Sequence, residues 1–251
     1  MPSISFGFPT CRPECRLDWF VDGLEDQAGQ IGFDLSASEL IVVDAVLWQD
    51  ERARREEISG VVRGRVPLVH VPPKPNPWHG PDRLTIKEYA AHGNARNTIF
   101  CHMTGEHLVS IDDCSVLKPG WLKAHLDAAA EGKLVAGLYP KHRNVRVEAG
   151  RLVDSEIWPD YTDGRGDEGP RWVGGGWFFT GNAGIPLQVA LALNGFEELL
   201  DAIGAEDCDF GVRAERAGHR TWIEPRAVTV QAQDLKHAQN DRAVSYHRAR
   251  P

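Results

Sequence analysis

The chain has 251 residues, enough for one α/β domain with a substantial buried core. Hydrophobic residues make up 42% and charged residues 25%, the balance of an ordinary globular protein, and no run approaches the ~18–20 apolar residues of a membrane-spanning helix. A net charge of −8 sets aside a sequence-independent grip on nucleic-acid backbone as the main activity, because that grip needs a basic surface.

The predicted elements alternate strand and helix, the signature of a sheet with covering helices. Ser3–Phe8 predicts a strand, broken at Pro9-Thr10-Cys11-Arg12-Pro13. Leu17, Phe20, Val21, Leu24 and Ala28 recur at helical spacing, which predicts a helix over 14–29. Leu40–Leu47 is a near-continuous apolar run interrupted by Asp44, as in a buried parallel strand. A charged helix over 49–58 and a strand over Val66–Val71 follow, and then a proline-rich loop at 72–77. A helix is expected over 85–100, with Gly93 as its weak point, and a strand over His107–Ile111 ends on Asp112-Asp113. Pro119 opens the next helix and Gly132 closes it, ahead of a strand at Leu134–Leu138. Glu148-Ala149-Gly150-Arg151 reads as a hairpin turn between Val145–Val147 and Leu152–Val153. Pro159–Pro170 lacks periodicity, and order resumes at Trp172–Thr180. Helices are expected at Pro186–Gly195 and Ala205–Gly218, strands at Thr221–Glu224 and Ala227–Val230, and a polar tail from Gln239.

Cys11, Cys15, Cys101, Cys114 and Cys208 are odd in number and form no CxxC pair, which argues against a disulfide framework or a zinc knuckle. Met1–Phe8 lacks the basic and apolar regions of a secretory leader. The expected setting is cytoplasmic, with reduced thiols and no stable membrane insertion.

Four groups of residues carry possible chemistry. A strand that ends in Asp112-Asp113 puts two carboxylates where ligands of parallel sheets bind. Such a pair attracts a hard divalent cation and equally serves as a solvated turn. Glu206, Asp207 and Asp209 stand at a helix start, where the helix dipole stabilises acids. Gly174-Gly175-Gly176-Trp177 combines a glycine run, which lets a ligand approach the backbone, with an aromatic able to stack on a sugar. His237 and His247 near the end are candidate metal ligands or solvated tail residues.

In order and spacing the chain resembles the family-2 glycosyltransferases and the related galactosyltransferases. Ile111-Asp112-Asp113-Cys114-Ser115 with Pro119-Gly120-Trp121-Leu122 is similar to their metal-binding strand and the helix start after it. Trp172-Val173-Gly174-Gly175-Gly176, Asn194-Gly195-Phe196-Glu197, and Gly204-Ala205-Glu206-Asp207-Cys208-Asp209-Phe210-Gly211 with Arg213, Gly218 and His219 are similar to their glycine-rich strand, GF-E segment and catalytic helix. The resemblance implies a GT-A fold, a Rossmann-like α/β sandwich whose mixed, mostly parallel central sheet is flanked by helices. It implies one domain over 1–251: a nucleotide-binding half near 3–122, an acceptor and catalytic half near 123–237, and a polar tail at 238–251.

Residue by residue, the resemblance implies that Pro9, Thr10, Arg12 and Glu14 hold the donor nucleotide and that Asp44 reads the uracil edge. Asp112 lies near the ribose, and Asp113 with His237 binds Mn2+ or Mg2+. Arg96 helps to neutralise the diphosphate, and Gly175, Gly176 and Trp177 shape the sugar pocket. Asp207 is the base of an inverting transfer from a UDP-sugar to an acceptor hydroxyl, and Glu206 braces it or orients the acceptor. Two departures stand out: Cys114 replaces the third carboxylate of the metal motif, and Ala45 replaces a second acid after Asp44. A non-catalytic nucleotide- or glycan-binding module and a sugar nucleotidyltransferase remain as alternatives. The acceptor is open among glycan, lipid, protein and modified DNA base, and so is the oligomeric state.

Overall fold

The structure is a computed structural model that describes residues 3–77, 91–159, 168–201 and 204–235. Its core is an eleven-stranded sheet. β1 (Ile4–Thr10) is buried along its whole length, as its near-continuous apolar sequence predicts for a central strand. It pairs in parallel with β2 (Glu39–Asp44) on one side and β4 (His107–Ile111) on the other, and β2 carries β3 (Leu68–Val71) outside it. β10 (Asn182–Pro186) runs antiparallel to both β4 and β6 (Leu134–Leu138), and β11 (Thr221–Ala232) is parallel to β6. The sheet continues from β11 through β7 (Lys141–Glu148) to β8 (Arg151–Ile157), while the short β5 (Ser115–Leu117) and β9 (Arg171–Val173) also pair with β11.

Helices cover both faces, and the alternation of β2 shows how. Leu40 and Val42 face a core built with α1 (Leu17–Ile31), α2 (Glu51–Val62) and α4 (Trp121–Ala130). Ile41 and Val43 face a second core built with α3 (His92–His102), α5 (Leu187–Ala192) and α6 (Glu206–Arg216), as a period of two demands. In the first core Phe20 of α1 packs against Phe6 and Phe8 with ring centroids 6.1 and 5.9 Å away, and edge-on to Trp121 at 6.0 Å. Asp50 caps α2 by accepting a hydrogen bond from the Ala53 amide at 3.2 Å.

Several predicted boundaries move. The strands at His107–Ile111 and Leu134–Leu138 coincide with β4 and β6. The hairpin at 148–151 is present, and both of its turn residues, Ala149 and Gly150, have positive φ (47° and 71°), as a two-residue turn matched to strand twist requires. Gly150 also packs against the α1 backbone at Gly23, where a Cβ would collide. The two strands expected at Thr221–Glu224 and Ala227–Val230 are one strand, β11, with a register shift between Glu224 and Val228. Pro225, which has no N–H to give the ladder, lies inside that shift. β5 and β10 were not expected as strands. α3 begins at His92 rather than near 85, and residues 78–90 lie outside the described residues. Among the described residues no helix is long and apolar enough to cross a membrane.

β1 is the point where the chain order reverses: β2 and β3 are added on one side, β4 on the other. Sheets of this kind bind ligands beyond the strand ends at such a reversal.

Candidate donor-binding and catalytic site

A cleft of about 220 Å3 opens at that position. Pro9, Thr10, Cys11 and Arg12 line it from the end of β1, and Asp112, Asp113 and Cys114 from the end of β4. His92 and Ala95 of α3 close one wall, with Lys141, Gln231 and Gln233 on another. The fold thus gathers Pro9, Thr10, Arg12 and Asp112, expected at the donor, and Asp113, expected at the metal, into one cavity.

Asp113 is buried, and each of its carboxylate oxygens accepts one hydrogen bond. Arg12 Nε donates to its Oδ1 at 2.7 Å, and Thr10 Oγ1 donates to its Oδ2 at 2.6 Å. Arg12 also donates through Nη1 to the Leu235 carbonyl at 2.9 Å, which ties the β1 loop to the chain after β11. Asp112 accepts from Gln231 Nε2 at 2.6 Å and from Arg96 Nη2 at 3.2 Å. Burial pushes its carboxyl above the ordinary range; the charge of Arg96 offsets part of this and the neighbouring Asp113 adds to it. Cys114 is buried, and its thiol is pushed well above the usual value by that burial and by Asp113.

Arg96 links the cleft to the start of α6. It is buried in α3, and its Nη1 stands 3.7 Å from Glu206 Oε1. Its Nε and Nη1 have no hydrogen-bond partner among the described residues. Asp207 follows Glu206 in the first turn of α6 and is only partly covered. One guanidinium therefore spans from an acid of the cleft to the acid beside the expected base.

Three expected site residues, Asp44, Glu14 and Gly175, need correction. Asp44 has 0% exposure. Its Oδ2 takes Arg54 Nε at 2.6 Å and lies 3.2 Å from His70 Nε2, and its Oδ1 takes the Val46 amide at 3.1 Å. A carboxylate so enclosed cannot meet a base edge, and the cleft wall there is Ala45. Glu14 is exposed and outside the cleft lining. Gly175 is required by helix packing rather than by a ligand: a Cβ there would run into the α6 backbone at Gly211, and its amide donates to Glu215 Oε2 at 2.8 Å. Asp113, expected at the metal, lines the cleft with one hydrogen bond on each carboxylate oxygen. Gly176 faces open space, and Trp177 is 48% exposed, edge-on to Phe179 at 6.2 Å. Trp177 borders a separate depression with Arg171, Val173, Gly174 and Ile223. His237 lies outside the described residues.

Lys141, Gln231, Gln233 and His92 line the cleft without having been singled out in the sequence. Gln231-Ala232-Gln233 did carry a signal, because a period of two at a strand end sends both amides to one side. Lys141 is opposite Gln231 in the β7–β11 register, a pairing of residues 90 positions apart that no local pattern announces.

The strand order is that of a GT-A fold. Solved structures agree. S. aureus TarS superposes with a TM-score of 0.64 at 16% identity over 92% of this chain and 36% of TarS. TarS 1-349 in complex with UDP gives 0.61 at 14% identity over 92% of this chain and 60% of that one. The mannosyltransferase PcManGT from Pyrobaculum calidifontis, in complex with GDP-Man and Mn2+, gives 0.58 at 16% identity over 93% and 59%. The chain thus spans about a third of the full TarS structure's length and three-fifths of the other two. At such identities the likeness is one of fold. No family model and no curated protein matches the sequence.

Proposed function

We propose that this protein is a glycosyltransferase that moves a sugar from a nucleoside-diphosphate donor, with UDP favoured, to an acceptor hydroxyl with inversion. The observation that carries this reading is Arg96, 3.2 Å from Asp112 in the cleft and 3.7 Å from Glu206 at the head of α6. It joins a donor cavity at the sheet reversal to a pair of acids at a helix start. Two solved structures with this fold, TarS 1-349 with UDP and PcManGT with GDP-Man and Mn2+, support a nucleotide-sugar donor.

In the proposed reaction the acceptor oxygen attacks the anomeric carbon from the face opposite the diphosphate. The bond from that carbon to the phosphate oxygen breaks, and the electron pair leaves with the nucleoside diphosphate. Asp207, the more accessible of the two acids, takes the acceptor proton. Glu206, buried against Arg96, braces that end of α6. Arg12 and Lys141 at the cleft stabilise the charge that develops on the diphosphate. Trp177 offers its exposed ring to the sugar or the acceptor.

A non-catalytic nucleotide-binding module is the second reading, favoured by Cys114 at the third position of the acidic motif. Incubation with UDP-sugars and mass analysis of the products separates these readings. Transfer with release of UDP supports the enzyme, pyrophosphate release supports a nucleotidyltransferase, and binding without turnover supports the module. Asp207→Asn is expected to slow transfer about 10²–10⁴-fold, the usual worth of a positioned base, with UDP affinity unchanged. Full activity in that variant removes the base assignment.

A further inference from the structure

A glycosyltransferase needs a second surface, one that brings an acceptor hydroxyl to its base. Trp177 stands outside the donor cleft, in a depression of about 330 Å3 that Arg171, Val173, Gly174 and Ile223 also line among the described residues. That volume is at the small end of ligand-sized sites, which span roughly 300–1,000 Å3. The indole is 48% exposed, and its neighbours leave it uncovered. A Cβ at Gly174 or Gly176 would meet nothing within 4 Å, and neither glycine has a positive φ. Neither crowding nor backbone conformation calls for glycine at these two positions, in contrast to Gly175, on which Gly211 presses. Their effect is a bare backbone beside an exposed ring, which lets a flat ligand lie close.

The depression connects to both ends of the proposed reaction. The turn Gly175–Trp177 packs on α6 at Gly211, and Asp207 lies one helical turn before that contact, about 6 Å along the axis. From there the chain runs to the donor cleft: the Thr180 carbonyl accepts from Arg96 Nη2 at 3.3 Å, and Gly181 lies beside Asp112. Trp177 is therefore on the stretch that joins the helix of the proposed base to the cleft.

The lining selects the chemistry of an occupant. The negative face of an indole packs against the C–H face of a sugar ring, and the guanidinium of Arg171 has donors for hydroxyl groups. A nucleic acid needs free cations. The one cation of the lining among the described residues, Arg171, already pairs with Glu168 at 3.1 Å, and the chain carries a net charge of −8. A lipid tail needs an apolar wall, and Ile223 is buried. Resting on the glycosyltransferase reading, we propose that this depression is an acceptor subsite and that the acceptor is a carbohydrate chain. One sugar of the chain stacks on Trp177, and the terminal sugar presents its hydroxyl to Asp207.

The test uses neutral oligosaccharides of glucose, galactose and N-acetylglucosamine, one to four units long. Their binding to the UDP-loaded whole chain is measured by calorimetry, and their KM as acceptors by transfer from UDP-sugars. Affinity is expected to rise about tenfold from one unit to three, and Trp177→Ala to lose that gain with UDP affinity unchanged, the scale of a truncated aromatic contact. Trp172→Ala removes the other exposed tryptophan of this segment, which lies outside the depression, and is expected to keep the gain. Affinity independent of chain length, or a Trp177→Ala protein that keeps the gain, would overturn the subsite. Binding confined to a peptide, a lipid or single-stranded DNA would overturn the carbohydrate class. UDP binding with no oligosaccharide bound would overturn the inference and leave the donor site standing, whereas failure to bind UDP, GDP or dTDP would overturn the donor-site reading and this inference together.

Discussion

Asp44 ends β2 and Asp113 follows β4, on the two sides of β1, and each grips an arginine, at 2.6 and 2.7 Å respectively. Their surroundings differ. Asp44 is sealed from solvent, and its partner Arg54 also donates to the backbone carbonyls of Pro13 at 2.7 Å and Arg12 at 2.9 Å. Asp113 lines the cleft, and its partner reaches across to Leu235. The two pairs act in series: Arg54 fixes the backbone that carries Arg12, and the Arg12 side chain fixes the cleft. The same acid–base pairing thus builds scaffold at one strand end and the wall of the cleft at the other.

The largest expected effect comes from breaking the sealed pair. Asp44→Ala leaves buried Arg54 with only the half-exposed Glu57, 2.9 Å away, as counter-charge, and the loss of a buried partner costs about 3–5 kcal/mol. The urea midpoint is expected to fall accordingly, with nucleotide binding weakened as a consequence of the released loop. A shift below about 1 kcal/mol would mean that the pair does not hold the loop, and the contrast with Asp113 would collapse.

Acid sharpens the contrast. Burial pushes the Asp44 carboxyl upward, but the hydrogen bonds from His70 and Arg54 and the charge of Arg54 outweigh it, so the net shift is downward. A lowered acid gives its stabilisation at any pH above its unfolded value and loses it only as pH falls through the folded one. The first loss on acidification belongs elsewhere. His107 and His125 lie buried together beside Gly184, with values pushed down by burial to about 3 and about 4. The unfolded chain therefore takes up protons at these histidines first, below its ordinary value near 6.5. Unfolding free energy is expected to drop by about 2–3 kcal/mol from pH ~7.5 to pH ~5.5. A flat profile there, with loss only below pH ~4, would shift the acid sensitivity back to the carboxylates.

The smallest effect is expected at the exposed rim. Trp177→Ala is expected to leave stability within about 0.5 kcal/mol, as for other surface changes, and UDP affinity unchanged, with a severalfold higher KM for the sugar donor or the acceptor. A loss of UDP affinity would move Trp177 into the nucleotide site.

Much of this was legible in sequence because it is local. β4 and β6 were read to the residue from their apolar runs, and the turn at Ala149-Gly150 from its residue types. Spaced motifs brought the acids of β4 and α6 to attention, and the fold places Arg96 between them. The misses are contacts across the chain. Asp44 looked like a ligand residue because nothing nearby in sequence shows that Arg54 folds back over it. Gly175 looked like a ligand approach, whereas the backbone pressing on it comes from Gly211, 36 positions on. β10 escaped notice because Asn182-Ala183-Gly184-Ile185-Pro186 is short, carries a glycine and a proline, and is a strand only because β4 and β6 flank it.

The central claim is that a nucleoside diphosphate binds at the reversal point of the sheet. Backbone hydrogen–deuterium exchange with and without saturating UDP tests it most directly. Protection at 10–12 and 112–114, where the ends of β1 and β4 line the cleft, is the predicted result. No protection there, or protection confined to the separate groove lined by Asn97, Cys101, Asn194 and Phe196, would contradict it.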